Sequence, residues 1–103
     1  MAIKVNTKAI LFSQLQMNAE KIKSFGVSKL GVFGSFTTNK VKNDSDIDFL
    51  VEFDPTKKNF DNFIELSFYL EELLNRKVEI VTPQSLSKHI GPHILKQTQY
   101  VSI

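Results

Sequence analysis

The chain has 103 residues and a mass of 11.8 kDa, which predicts a single domain over residues 1–103. Apolar residues make up 42% of the sequence and charged residues 23%, so we expect a folded protein with an ordinary hydrophobic core. The chain has no cysteine, which excludes a disulfide framework, a thiolate zinc site and a cysteine nucleophile.

The charge is nearly balanced, with 13 basic and 11 acidic residues and a net charge of +2. The lysines are scattered rather than clustered on one face, which argues against direct nucleic-acid binding. Arg76 is the only arginine, so bidentate capture of a phosphate has a single possible donor. No apolar run reaches signal-peptide length in residues 1–6 or membrane-spanning length elsewhere, which predicts a cytoplasmic protein without a membrane partner.

The first half of the chain contains one predicted helix and two predicted strands. Apolar residues at three- and four-residue spacing predict a helix over residues 8–25, which Gly26 ends. A short apolar run predicts a buried strand over 29–33, followed directly by Gly34. Residues 37–45 are polar and favour turns with at most one helical turn. Alternating charged and apolar residues predict a second strand over 46–53.

The second half begins with a wide apolar stripe that predicts a helix over residues 60–75, with Asn59 as its N-cap. A third strand is expected at 78–81. Thr82 and Pro83 then favour a short helix, which residues 91–92 (Gly-Pro) would interrupt. This order of elements predicts an α/β (α+β) fold, in which a small mixed β-sheet is flanked by helices.

Two acidic residues and a Gly-Ser pair are placed where strands begin or end. Asp46 and Asp48 alternate along the second strand, so they share one face with Cα atoms about 6.5 Å apart. Two carboxylates at this separation can bind one or two Mg²⁺ ions. Gly34 and Ser35 follow the first strand, where a missing Cβ, a hydroxyl and backbone N–H groups suit a phosphate. If Ser35 begins a short helix, its first N–H groups add affinity for an anion.

One further acid lies alone in the apolar third strand. Glu79 is flanked by Val78 and Ile80, and a solvent-facing carboxylate in such a strand is common. If Glu79 instead faces Asp46 and Asp48, it completes a site with three acids.

Several phenylalanines allow more than one interpretation. Phe36, just after the Gly-Ser pair, either packs in the core or stacks on a nucleobase, and the core is favoured. Phe60, Phe63 and Phe68 on the long helix are predicted to be core residues rather than a base-stacking platform.

These motifs resemble those of the minimal nucleotidyltransferases, the MNT branch of the DNA polymerase beta superfamily. The resemblance rests on residues 31–35 (Gly-Val-Phe-Gly-Ser), ten intervening residues and residues 46–53, which begin Asp-Ile-Asp. Residues 77–83 resemble the segment that bears the third acid of the family. The similarity extends over about residues 21–101, and the spaced pattern is specific.

The resemblance implies the polymerase beta-like fold and Mg²⁺-dependent use of a nucleoside triphosphate, usually ATP. By the same resemblance, Asp46, Asp48 and Glu79 are the catalytic and metal-binding residues, and Gly34 and Ser35 hold the β- and γ-phosphates. Glu79 would bind a metal or take the proton of the acceptor.

A partner is implied as well, because such proteins are commonly antitoxins of a HEPN-domain ribonuclease encoded by a neighbouring gene. That toxin is silenced by transfer of AMP to a tyrosine. We therefore expect a homodimer or a hetero-oligomer with such a toxin.

The sequence departs from the family pattern at two places. The family has two arginines and a glycine after the Gly-Ser pair, where this chain has Phe36, Thr37, Thr38 and Asn39. Lys40 and Lys42 can partly replace the missing cations at the nucleotide as point charges. Glu79 stands where aspartate is usual.

These departures leave three functions open. The first is an adenylyltransferase antitoxin, and the second is a catalytically degenerate antitoxin that binds nucleotide or neutralises the toxin by contact alone. The third is a subunit of a larger nucleotidyltransferase that acts on RNA or an antibiotic.

Overall fold

The structure is a computed structural model that describes residues 5–103. Residues 1–4, on which part of the prediction of no signal peptide rests, lie outside the described residues. Within the described part of the chain, no helix is both long enough and apolar enough to cross a membrane.

Five helices and four strands follow one another along the described chain. They are α1 (Lys8–Met17), α2 (Ala19–Ser24), β1 (Val27–Phe33), α3 (Ser35–Thr38), β2 (Ile47–Phe53), α4 (Phe60–Leu74), β3 (Val78–Val81), a 3-10 turn (Pro83–Ser85), α5 (Gly91–Gln97) and β4 (Gln99–Val101).

The strands form one mixed sheet in the order β3-β2-β1-β4. Strand β1 is antiparallel to β2 and to β4, whereas β2 and β3 are parallel. The predicted mixed sheet flanked by helices is therefore confirmed.

The main core lies on one face of this sheet. Directly opposite residues of paired strands share a face, and the pairs Leu30–Val51 and Val32–Phe49 are buried together. Buried residues of helices α1, α2, α3 and α4 pack in the same cluster: Leu11, Leu15, Ile22, Phe36, Leu66, Leu70 and Leu74. Alternate positions of β2, including Asp48, therefore point to the opposite face.

The predicted first helix is two helices, because the chain breaks at Asn18. The Asn18 side chain donates a hydrogen bond to the Gln14 carbonyl at 2.8 Å, and its backbone leaves helical geometry at φ −112° and ψ 21°. Asparagine competes for backbone hydrogen bonds in this way, which makes it a frequent helix end.

The secondary structure predicted after residue 81 was also partly wrong. Thr82 and Pro83 open only a 3-10 turn, and the Gly91-Pro92 pair begins α5 instead of interrupting a helix. Proline suits the first turn of a helix because the N–H that it lacks would have no partner inside the helix there. Strand β4 was not predicted, since only Val101 of its three residues is buried.

Helix α4 matches its predicted bounds to within one residue, and Asn59 caps it by accepting a 2.8 Å bond from the N–H of Asn62. The prediction that Phe60 and Phe68 are core residues was wrong, since these side chains are 75% and 66% exposed. The apolar stripe is wider than the face that meets the sheet, and that face is occupied by Leu66, Leu70 and Leu74.

We expect Leu70→Ala to lower the free energy of unfolding by about 2–5 kcal/mol, because it leaves a cavity in the core. Phe68→Ala on the same helix should change it by less than about 0.5 kcal/mol, because this ring is mostly exposed. Urea unfolding followed by circular dichroism measures both values. Equal losses in the two variants would contradict the described packing of α4.

Candidate active site

The predicted site residues meet at one edge of the sheet. Phe33, at the end of β1, lies opposite Asp48, and Asp48 lies opposite Glu79 of the parallel strand β3. Residues paired in this way point to the same face, about 5 Å apart between neighbouring strands. Asp46 precedes β2 by one residue and is two positions from Asp48. The structure thus brings Asp46, Asp48 and Glu79 together beside the Gly-Ser turn.

Gly34 permits a close approach between the turn after β1 and Asp48. Its φ of 78° and ψ of −142° fall in a region that side chains rarely adopt. A Cβ at this position would also collide with Oδ2 of Asp48. Glycine is therefore needed here for both backbone geometry and space.

The Gly-Ser turn leads into α3, which begins at Ser35 as the sequence suggested. The Gly34 carbonyl accepts bonds from the N–H groups of Thr37 and Thr38 at 3.0 and 3.1 Å. The hydroxyl groups of both threonines donate to the same oxygen, at 3.0 and 3.1 Å. Helix geometry leaves the N–H groups of Ser35 and Phe36 without a partner inside α3.

Phe36 is only 1% exposed, so the favoured core position of this ring is confirmed. The ring on the site face is Phe33, which is half-buried next to Asp48. Sequence reasoning missed Phe33, although alternation along β1 could have placed it on this face.

The three carboxylates interact electrostatically. Burial, followed by the negative charges of Glu79 and then Asp46, raises the pKa of Asp48 from 3.8 to about 6. Asp48 is half-buried, whereas Asp46 and Glu79 are exposed. A bound cation would relieve this repulsion.

The donor set suits Mg²⁺, which is usually held by one or two carboxylates and completed by water and substrate phosphates. Within residues 5–103, no three His, Asp or Glu side chains are arranged to hold a metal ion among themselves. Metal binding by Asp46, Asp48 and Glu79 stays a prediction, and two aspartates beside the Gly-Ser turn fit it.

The basic residues singled out in the sequence differ in burial. Arg76, the only residue that could bind a phosphate in bidentate fashion, is 6% exposed. Its guanidinium donates to backbone carbonyls of the segment before β2. Lys40 and Lys42 are exposed on the segment between α3 and β2, where nucleotide binding by their side chains stays a prediction. The only arginine of the sequence is therefore engaged by backbone carbonyls and is not exposed to a phosphate.

Comparison with known proteins identifies the family. A sequence model of the nucleotidyltransferase domain matches residues 15–101. The chain belongs to the nucleotidyltransferase domain family. This nucleotidyltransferase is 43% identical over 77 residues to the protein adenylyltransferase MntA of Thermococcus cleftensis, covering 75% of this chain and 77% of that protein.

Solved structures agree with this family. A protein provisionally designated a minimal nucleotidyltransferase superposes with a TM-score of 0.78 at 25% identity, over 90% of this chain and 94% of that one. A toxin–antitoxin complex with AMP-PNP gives 0.63 at 22% identity, over 90% of this chain and 70% of that one, which shows the fold alone. The predicted minimal nucleotidyltransferase family and fold are confirmed.

The raised pKa of Asp48 makes a prediction about stability in the absence of divalent metal. Relative to wild type, Asp48→Asn should stabilise this nucleotidyltransferase more at pH 8 than at pH 3.5. A folded-state pKa above the unfolded value favours the native state at low pH, and that advantage is lost as pH rises from about 4 to about 6. With solvent screening of a half-buried group, the difference between the two pH values should be about 1–2 kcal/mol.

Urea unfolding in EDTA measures this difference. Glu72→Gln removes an exposed carboxylate from α4 and controls for the loss of one negative charge. A stability difference between Asp48→Asn and wild type that is independent of pH would contradict the prediction.

Gly34→Ala should destabilise the wild type by about 1–3 kcal/mol, because alanine is strained at positive φ and its Cβ meets Asp48. In an Asp48→Ala background the strain stays but the collision with the carboxylate is gone, so the loss should be smaller by about 0.5 kcal/mol or more. A double-mutant cycle measured by thermal unfolding tests this coupling. Identical losses in both backgrounds would show that the two residues do not touch.

Proposed function

We propose that this nucleotidyltransferase uses Mg²⁺ and ATP to transfer AMP to a hydroxyl group of a partner protein, as a single domain working in the cytoplasm. The observation that carries this proposal is the register Phe33–Asp48–Glu79, which aligns two acids beside the Gly34-Ser35 turn, with Asp46 two positions before Asp48. Clustered carboxylates that can hold Mg²⁺ beside a phosphate are typical of metal-assisted phosphoryl chemistry.

The reaction would exchange one bond to the α-phosphorus for another. The acceptor oxygen forms a bond to the α-phosphorus, the bond from that phosphorus to the bridging oxygen breaks, and pyrophosphate leaves with the electron pair. The acceptor proton passes to a base. Mg²⁺ bound by Asp46 and Asp48 would neutralise phosphate charge. Glu79, exposed at the edge strand β3, either joins the metal site or takes that proton.

We further propose that the acceptor is a HEPN-domain toxin and that this protein is its antitoxin. Support comes from similarity to MntA, described as a protein adenylyltransferase, and from the fold shared with antitoxins of solved complexes. One of these, from Shewanella oneidensis, is an MNT antitoxin bound to a tri-AMPylated HEPN toxin, with a TM-score of 0.54 at 23% identity over 82% of this chain and 69% of that one. By analogy, we expect a tyrosine as acceptor and a hetero-oligomer as the assembly.

A second function, neutralisation of the toxin by binding alone, is favoured by the loss of arginine from the site. Phe36 replaces the first family arginine and is buried, and Arg76 is bonded to backbone carbonyls. Lys40, whose backbone N–H donates to the Ser35 carbonyl, and Lys42 would then supply the positive charge as point charges.

Purified protein incubated with labelled ATP, Mg²⁺ and the HEPN protein encoded by the neighbouring gene should label a tyrosine of that partner. Asp46→Asn and Asp48→Asn should each reduce transfer by about 100-fold or more, because misplaced or missing charge at the reacting phosphate is costly. Radiolabel counting gives the rate, and tandem mass spectrometry gives the modified residue.

Glu72→Gln serves as the control and should label the partner at the wild-type rate. Absence of transfer by wild type, or equal transfer by Asp46→Asn, would overturn the catalytic proposal. If the Asp46→Asn/Asp48→Asn double variant still protects cells from the toxin, neutralisation by binding is the function.

A further inference from the structure

The buried guanidinium of Arg76 contacts residues 42–45, the segment just before Asp46. The Nε of Arg76 donates to the carbonyl of Val5. Its Nη1 donates to the carbonyls of Ser45 at 2.7 Å, Lys42 at 3.1 Å and Asn43 at 3.4 Å. A single side chain therefore links the start of the described chain to the segment before β2.

These bonds hold the backbone next to Asp46. Ser45, which immediately precedes Asp46, is bonded through its carbonyl to Arg76. Ile47, which immediately follows it, donates its N–H to the carbonyl of Lys77 at 3.0 Å. Consecutive residues of the α4–β3 connection thus anchor both neighbours of Asp46, and Asp48 follows in register.

The same guanidinium also contacts the Gly-Ser half of the site. Its central carbon lies 5.3 Å from the ring centre of Phe36, within the range of a cation–π interaction. Phe36 is the second residue of α3, directly after Ser35. Arg76 is therefore in contact with both elements that the proposed reaction requires.

Phosphate binding does not explain Arg76, because its side chain is 6% exposed and four of its contacts are neutral backbone carbonyls. Arginine fits this position because a rigid fork can reach carbonyls in different directions at once. Lysine would carry the charge as a single point and could not span Val5 and Ser45 together.

We propose that Arg76 is a positioning residue, which sets the relative placement of the Asp46–Asp48 pair and the Gly34-Ser35 turn and is needed for efficient AMP transfer. This inference rests on the proposed transferase function. Groups that orient metal-binding residues typically contribute 10- to 100-fold to metal affinity or activity.

The test compares Arg76→Lys and Arg76→Met with Val27→Ala, a core variant that we expect to lower stability without touching the site. Val27 is 5% exposed and lies at the opposite end of β1 from Gly34. For each protein, kcat for AMP transfer is measured at saturating ATP and Mg²⁺, at a temperature where melting curves show a fully folded chain. Electron paramagnetic resonance of free Mn²⁺ gives the metal affinity with α,β-methylene-ATP present.

We expect kcat and Mn²⁺ affinity to fall by about 10- to 100-fold in Arg76→Met, with Arg76→Lys between that variant and wild type. Val27→Ala should keep both values at the wild-type level. Wild-type kcat and Mn²⁺ affinity in folded Arg76→Met would overturn the inference, as would equal losses in Val27→Ala. If Arg76→Met does not fold, Arg76→Lys decides by the same two measurements.

The two readouts separate this inference from the proposed function. If wild type binds Mn²⁺ and nucleotide but transfers no AMP, the proposed function fails, and weaker Mn²⁺ binding by the Arg76 variants still supports positioning. If wild type binds no Mn²⁺, both proposals are overturned.

Discussion

Strand β2 runs between β1 and β3, and its backbone hydrogen bonds to both strands determine where every candidate acid lies. Because β1 is antiparallel to β2, the end of β1 and the start of β2 meet at one edge of the sheet. Because β3 is parallel to β2, β3 begins at the same edge, and Glu79 is its second residue. A slip of one residue in either pairing would turn Asp48 or Glu79 to the opposite face.

The core residues and the candidate catalytic acids lie on opposite faces of the sheet. Helices α1 to α4 cover one face, with fully buried residues such as Leu15, Leu66 and Leu70. The acids lie on the other face, where Asp48 is half-buried and Asp46 and Glu79 are exposed. Burial, followed by the charges of Glu79 and Asp46, raises the pKa of Asp48, so the ionised carboxylate destabilises the metal-free fold at neutral pH, and a bound cation would offset this effect.

Local patterns predicted most elements because periodicity and capping act within a few residues. The strand Val78–Val81 and the Asn59 cap are as expected. The errors have non-local causes. Asn18 breaks a continuous apolar pattern through a hydrogen bond, and β4 exists only because β1 provides a partner. Exposure of Phe68 depends on how much of α4 the sheet can cover.

For the site, the family, the spaced aspartates and the Gly-Ser turn could be predicted from residue order alone, since their chemistry depends on residue type and on separations of a few positions. The folded structure was needed to show that Glu79 pairs with Asp48 and that a Cβ at Gly34 would meet that carboxylate. It also decided the environment of Arg76, which lies more than 30 positions from Ser45 in the sequence yet donates to its carbonyl. Contacts between distant residues arise from strand register and helix packing, which no local pattern encodes.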